Sequence, residues 1–156
     1  MPELTIKPAP IRKTLLIKAN RERAFSTFVA RMGRWWPATH HIGTAPMSDV
    51  IIEPRVEGRW YERGTDGSEC QWGKVLVWEE PARIVLAWQI DSNWKYDAAL
   101  ITEVEAKFID VGAGETRVEF EHRNLERLGE KAQAMRDMLT SGWAGILDRF
   151  QQSAES

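Results

Sequence analysis

EKAQAMRDMLTSGWAGILDRFQQ, residues 130–152, is the stretch whose reading decides the fold. Met135, Met138, Leu139, Gly142, Trp143, Ile146, Leu147 and Phe150 recur at steps of three and four, so they share one face of a helix, while Arg136, Asp137, Asp148 and Arg149 fall elsewhere. At about 1.5 Å per residue the helix spans roughly 30 Å. An apolar stripe of that length needs an equally long apolar surface to cover it, and only a long curved sheet provides one.

The segments upstream supply that sheet. Thr102, Val104, Ala106 and Phe108 alternate with Glu103, Glu105 and Lys107, and after the Gly112-Ala113-Gly114 turn Thr116, Val118, Phe120 and His122 alternate with Arg117, Glu119 and Glu121. A two-residue period marks half-buried antiparallel strands, with the glutamates on a solvated face. Further strands are expected over residues 50–53, 58–63, 70–78 and 83–90, punctuated by Pro54, Gly64-Thr65-Asp66-Gly67 and Glu79-Glu80-Pro81, and a first strand begins near Ile11. Asn20 is a helix N-cap, followed by Ala24, Phe25, Phe28, Val29 and Met32 on one face, with Gly33 as the stop; Trp35-Trp36-Pro37 then makes a turn or short helical piece. A polar loop over residues 91–97 carries Trp94 and Tyr96. The expected architecture is α+β: six to seven antiparallel strands wrapped around the last helix, with one or two short helices after the first strand. It forms one domain over residues 11–153 behind a tail of residues 1–10.

Composition limits the function classes. With 21 basic and 23 acidic residues in 156, the chain lacks the basic stripe that nucleic acid requires. One cysteine, Cys70, allows no internal disulfide, and residues 1–10 hold three prolines and no apolar run of leader or membrane-span length, so cytoplasmic residence is expected. Eight tryptophans against two tyrosines are the outlier. They fit either a bulky core or the wall of a cavity.

Trp35-Trp36-Pro37, Glu53-Pro54, Gly58-Arg59-Trp60-Tyr61-Glu62, Gly73-Lys74-Val75, Glu80-Pro81, Leu86-Ala87-Trp88 and Ser141-Gly142-Trp143 occur in an order that resembles the START-like (SRPBCC, helix-grip) superfamily, in its bacterial branch akin to the C-terminal domain of activators of the Hsp90 ATPase. The resemblance runs from about Ile11 to Gln152. It implies a cavity between sheet and long helix, in a superfamily whose members bind, carry or transform hydrophobic ligands.

In the register that the resemblance implies, Trp60, Val75, Val77, Leu86 and Trp88 face inward with Val104, Phe120 and His122, opposite Met135, Met138, Leu139, Gly142 and Trp143, and Trp36 stands near the entrance. A solid core of the same residues is the competing reading. Gly142 and Gly145 inside a helix, each costing about 1 kcal/mol relative to alanine, and the adaptable Met135 and Met138 favour a cavity.

Glu62 and His122 are the candidate polar handles, able to orient a ligand or to support proton transfer if both face the cavity. Against this stand a core histidine bonded to backbone and a solvated glutamate at a strand end. His40-His41 reads as a loop pair on the surface or at a cavity rim rather than a metal site, because no acidic or thiol ligand lies at metal spacing. No cofactor, metal, phosphate loop or nucleophile elbow is expected. The expected function is binding of a small hydrophobic molecule. The alternatives are a cyclase, isomerase or hydrolase using the same cavity, or a chaperone-linked interaction module, and a homodimer is compatible with all three.

Overall fold

A computed structural model describes residues 7–156 in the order β1 (Ile11–Ile17), α1 (Arg21–Ala30), α2 (Met32–Trp35), β2 (Met47–Ile52), β3 (Arg59–Gly64), β4 (Glu69–Glu79), β5 (Arg83–Trp88), β6 (Thr102–Gly112), β7 (Glu115–Arg123), a 3-10 segment (Leu125–Lys131) and α3 (Ala132–Glu155). Residues 1–6 of the expected tail, and the reading of no leader there, lie outside the described residues. The seven strands form one antiparallel sheet in the order β1-β7-β6-β5-β4-β3-β2. Leu139, Trp143, Ile146, Leu147 and Phe150 of α3 are buried in the same apolar core as Val75, Leu86, Val104 and Phe120 of the sheet. The α+β helix-grip architecture expected from the sequence therefore holds.

Local details depart from the sequence reading where backbone meets backbone. Asn20 caps α1 as expected, its side chain accepting the Arg23 N–H at 2.8 Å. Gly33, however, does not stop that helix: α1 ends at Ala30, and Gly33 lies inside α2. A Cβ there would stand 1.8 Å from Asp49 Oδ1 and 2.9 Å from Val50 N, so the glycine permits the close approach of α2 to β2. At the other end the long helix begins at Ala132 rather than Glu130, because Gly129 at φ 85° interrupts the turn before it, and α3 then runs unbroken through Trp143.

Strand β4 is bulged twice. Trp60 pairs with Gly73 and Tyr61 with Gln71, leaving Trp72 as an extra residue, and Val75 pairs with Leu86 and Val77 with Val85, leaving Leu76. Each extra residue reverses the alternation of faces. Trp72 thereby turns inward and is 1% exposed. Val77, expected inward, is displaced from the inner face by Trp78, whose ring meets Phe25 at 5.3 Å.

The outer face of the sheet also differs from a simply solvated one. Arg123 donates to Glu103 at 2.8 Å, Glu105 at 2.9 Å and Glu121 at 3.0 Å, and Arg83 pairs with Glu105 from the other side. Glu105 is buried beneath these guanidinium groups. Burial pushes its carboxyl up, but the two arginines outweigh that and hold it below the ordinary range. Among the described residues no helix is long and apolar enough to cross a membrane.

Candidate functional site

Five tryptophans from four elements and one turn close into a ring. Trp36, in the turn directly after α2, lies 5.0 Å from Trp72 of β4; Trp72 lies 5.5 Å from Trp60 of β3; Trp60 lies 5.7 Å from Trp88 of β5; Trp88 lies 5.7 Å from Trp143 of α3; and Trp143 returns to Trp36 at 5.7 Å. Tilted and edge-on contacts of this kind each contribute about 0.5–1.5 kcal/mol beyond the area buried. Three of the indole N–H groups are anchored: Trp36 to His40 O at 2.8 Å, Trp72 to Glu62 Oε1 at 2.8 Å, and Trp143 to His122 Nδ1 at 3.1 Å. Those of Trp60 and Trp88 are buried with no partner among the described residues.

Against this ring opens a cavity of about 390 Å³. Trp36, Trp72, Trp88 and Ile90 form one wall and Met138, Leu139, Gly142, Trp143 and Ile146 of α3 the other. Thr39, His40, His41 and Ile42 line one side, and Trp94 reaches in from the loop over residues 91–97. Asp91 shapes that loop, its Oδ1 accepting the N–H of Asn93 at 2.8 Å and of Lys95 at 3.0 Å, with Trp94 between them at φ 60°. Trp94 and Met138 are exposed at 41% and 55%, which puts them at the mouth. A Cβ on Gly142 would meet nothing within 4 Å, so this glycine keeps the wall of α3 open.

Of the residues expected at a site, Trp36, Trp88, Met138, Leu139, Gly142 and Trp143 come together on this cavity. Trp60, Val75, Leu86, Val104, Phe120 and Met135 are packed in the core without lining it. Gly145 is exposed and lines nothing, so only Gly142 of the helical glycine pair opens space. Trp72, Ile90, Trp94, Ile146, Thr39 and Ile42 line the cavity without having been expected there, and His40 and His41, read as a pair on the surface or at a cavity rim, line it too. A bulge placed Trp72; turns, which carry no periodicity, placed most of the others.

His122 is wholly buried, and its partners are side chains rather than backbone. An indole nitrogen only donates, so Nδ1 accepts from Trp143 and the ring proton sits on Nε2, which donates to Thr102 Oγ1 at 2.8 Å. Thr102 Oγ1 in turn donates to Trp88 O at 3.1 Å. Burial pushes the imidazole down from 6.5 to about 3, so it is neutral in ordinary buffers and ties α3 to β5, β6 and β7.

Glu62 is buried at 1% exposure but does not line the cavity. Its Oε1 accepts the Ile42 N–H at 2.6 Å as well as the Trp72 indole, and its Oε2 lies 3.6 Å from His41 Nδ1. The expected pairing of Glu62 with His122 is thus replaced by Glu62 with His41. Among the described residues no group of three or more His, Cys, Asp or Glu side chains is disposed to hold a metal ion.

The family described as Activator of Hsp90 ATPase homolog 1-like protein has a model that matches residues 18–155. The chain belongs to this family. Two solved structures of the same fold share substantial sequence with this chain. The anthrahydroquino-γ-pyrone synthase Txn09, complexed with SUM, is 35% identical over 92% of this chain and 96% of its own, with a TM-score of 0.67. The self-sacrificing resistance protein CalC from Micromonospora echinospora is 31% identical over 93% of both chains, with a TM-score of 0.69. The Aha1 dimer from Colwellia psychrerythraea, 16% identical over 95% of this chain and 97% of its own with a TM-score of 0.66, shares the fold. No curated protein matches the sequence.

Proposed function

We infer that this protein binds a flat, fused-ring aromatic molecule in the cavity beside the tryptophan ring. The observation that carries this reading is the cavity itself: about 390 Å³, bounded by Trp36, Trp72, Trp88 and Trp143 and left open by Gly142. That volume lies in the range of small-molecule sites, and indole faces are the natural partners of a planar π-system. Thr39, His40 and His41 supply the polar side chains among its lining residues, and their donors and acceptors suit a ligand that carries hydroxyl or carbonyl groups. The name of the Txn09 relative, a synthase of a fused aromatic pyrone, supports the same class of occupant. The chaperone-linked alternative has the family description behind it and no residue of this chain.

Titration with alizarin, a planar hydroxylated anthraquinone, is expected to quench tryptophan emission saturably and to raise the thermal midpoint. Occupancy at one hundred times the dissociation constant stabilises by about 2.7 kcal/mol. Gly142→Leu is expected to abolish both responses while keeping the fold, because the new side chain enters open space and leucine improves on glycine in a helix by about 0.8 kcal/mol. Gly145→Ala, on the exposed face of the same helix, is expected to leave binding unchanged. A destabilised Gly142→Leu protein, together with no saturable response of the wild type to a panel of planar aromatics, would mean that the ring is a filled core.

A further inference from the structure

Glu62 is a buried carboxylate, and among the described residues its one basic neighbour within 4 Å is His41. His41 Nδ1 is 2.9 Å from Gly43 O, and a carbonyl only accepts, so Nδ1 carries the proton and Nε2 the lone pair. Nε2 makes no hydrogen bond to the described residues, and His41 lines the cavity. Gly43 makes this arrangement possible: a Cβ there would stand 3.0 Å from Glu62 Oε2 and 3.0 Å from Cys70 Sγ. Glu62 is fixed in turn by Ile42 N–H and the Trp72 indole. The Gly43 carbonyl thus holds the protonated side of the imidazole, the Glu62 carboxylate stands 3.6 Å from the same nitrogen, and the unprotonated nitrogen belongs to a side chain that lines the cavity, an arrangement suited to general-base catalysis.

We propose that His41 is a catalytic general base for aromatic ligands held in the tryptophan cavity, with Glu62 as its positioning residue. The proposal rests on the reading that the cavity takes planar aromatics. In the step, His41 Nε2 removes a proton from an acidic O–H or C–H of the ligand. The electron pair left behind adds within the same molecule to an unsaturated carbon, whose π bond opens, or expels an internal leaving group as its σ bond breaks, and the imidazolium returns the proton to the atom that gains the displaced pair, or to water where the product ionises. The ligand is isomerised without an oxidant, reductant or second substrate. Glu62 compensates the charge that His41 acquires. Of the other titratable groups nearby, His40 adjoins His41 in the chain and cavity wall, and Cys70 is kept as the thiol by its burial and by the charges of Glu62 and Asp66. The cavity residues of α3 and β5 add none.

Nitrobenzisoxazole tests this directly, because it is planar, neutral and opened by a base: the C–H proton leaves, the ring N–O bond breaks, and a coloured cyanophenolate forms. The wild type is expected to turn it over saturably. His41→Gln, whose amide still donates to Gly43 O, is expected to lose at least tenfold in kcat while binding the probe as judged by tryptophan quenching. Glu62→Gln keeps an acceptor for Ile42 and Trp72 and removes the charge, so it is expected to lower kcat about tenfold at unchanged KM. Wild-type binding of the probe without turnover, or turnover that survives His41→Gln, would overturn the proposal and leave the binding function standing. Absence of any binding by nitrobenzisoxazole and by alizarin would overturn both.

Discussion

Trp143→Ala is expected to remove about 3–5 kcal/mol of stability, a large part of the roughly 5–15 kcal/mol that holds a domain of this size together. Trp143 is 1% exposed at the centre of α3, and its indole meets Trp36, Trp88, Phe120 and His122. Truncation opens a cavity where these rings meet and leaves His122 Nδ1 without its donor. Trp143→Phe separates the two losses, since it restores most of the ring volume and still leaves the imidazole unmet, at about 1–3 kcal/mol. Urea unfolding measures both as shifts in midpoint at constant slope. A loss below about 1 kcal/mol for the alanine variant would mean that α3 is not held through this residue.

Acidification is expected to destabilise the protein through His122 before the carboxylates take part. The unfolded chain binds a proton at this imidazole near its ordinary value of 6.5, whereas the folded protein resists until about 3. Between those limits the unfolded state holds more protons, so stability is complete above pH 6.5 and falls as the pH is lowered, by about 1.4 kcal/mol per unit. The groups held below their ordinary values by ion pairs and hydrogen bonds, Glu53, Asp66, Glu69, Glu105, Glu121 and Glu155, contribute only below their unfolded values of 4.5, or 3.8 for the aspartate. A comparison of wild type with His122→Gln from pH 6.5 down to about pH 5 therefore isolates the histidine. The wild type is expected to lose about 2 kcal/mol more than the variant over that interval, because glutamine accepts from Trp143 and donates to Thr102 without taking up a proton. Parallel curves would show that the buried imidazole is protonated in the folded state.

The fold was legible because its two strongest signals are periodic. The stripe from Met135 to Phe150 and the alternation in β6 and β7 require nothing beyond one helix and two regular strands. Legibility ended where the period slips. A strict two-residue alternation back from Val75 points Trp72 away from the core, and the bulge beside Gly73 turns it inward. The cavity divided along the same line: Leu139, Gly142 and Trp143 could be read from the helix, but His41 meets Glu62 across a loop whose course depends on the Trp36 bond to His40 O and the close approach at Gly43. No spacing in the sequence encodes that meeting. The sequence did flag both His41 and Glu62, but it offered a different partner for each.

The tryptophan ring also has an optical consequence. Indoles whose centroids stand 5.0–5.7 Å apart share excitation far faster than they emit, so the five are expected to behave as one chromophore with coupled transitions and a near-ultraviolet dichroic signature. A quencher stacked against any member drains the whole set. A molecule seated in the cavity is then distinguished from one adsorbed elsewhere by how much light it removes and by the collapse of the coupled bands, without any label being added.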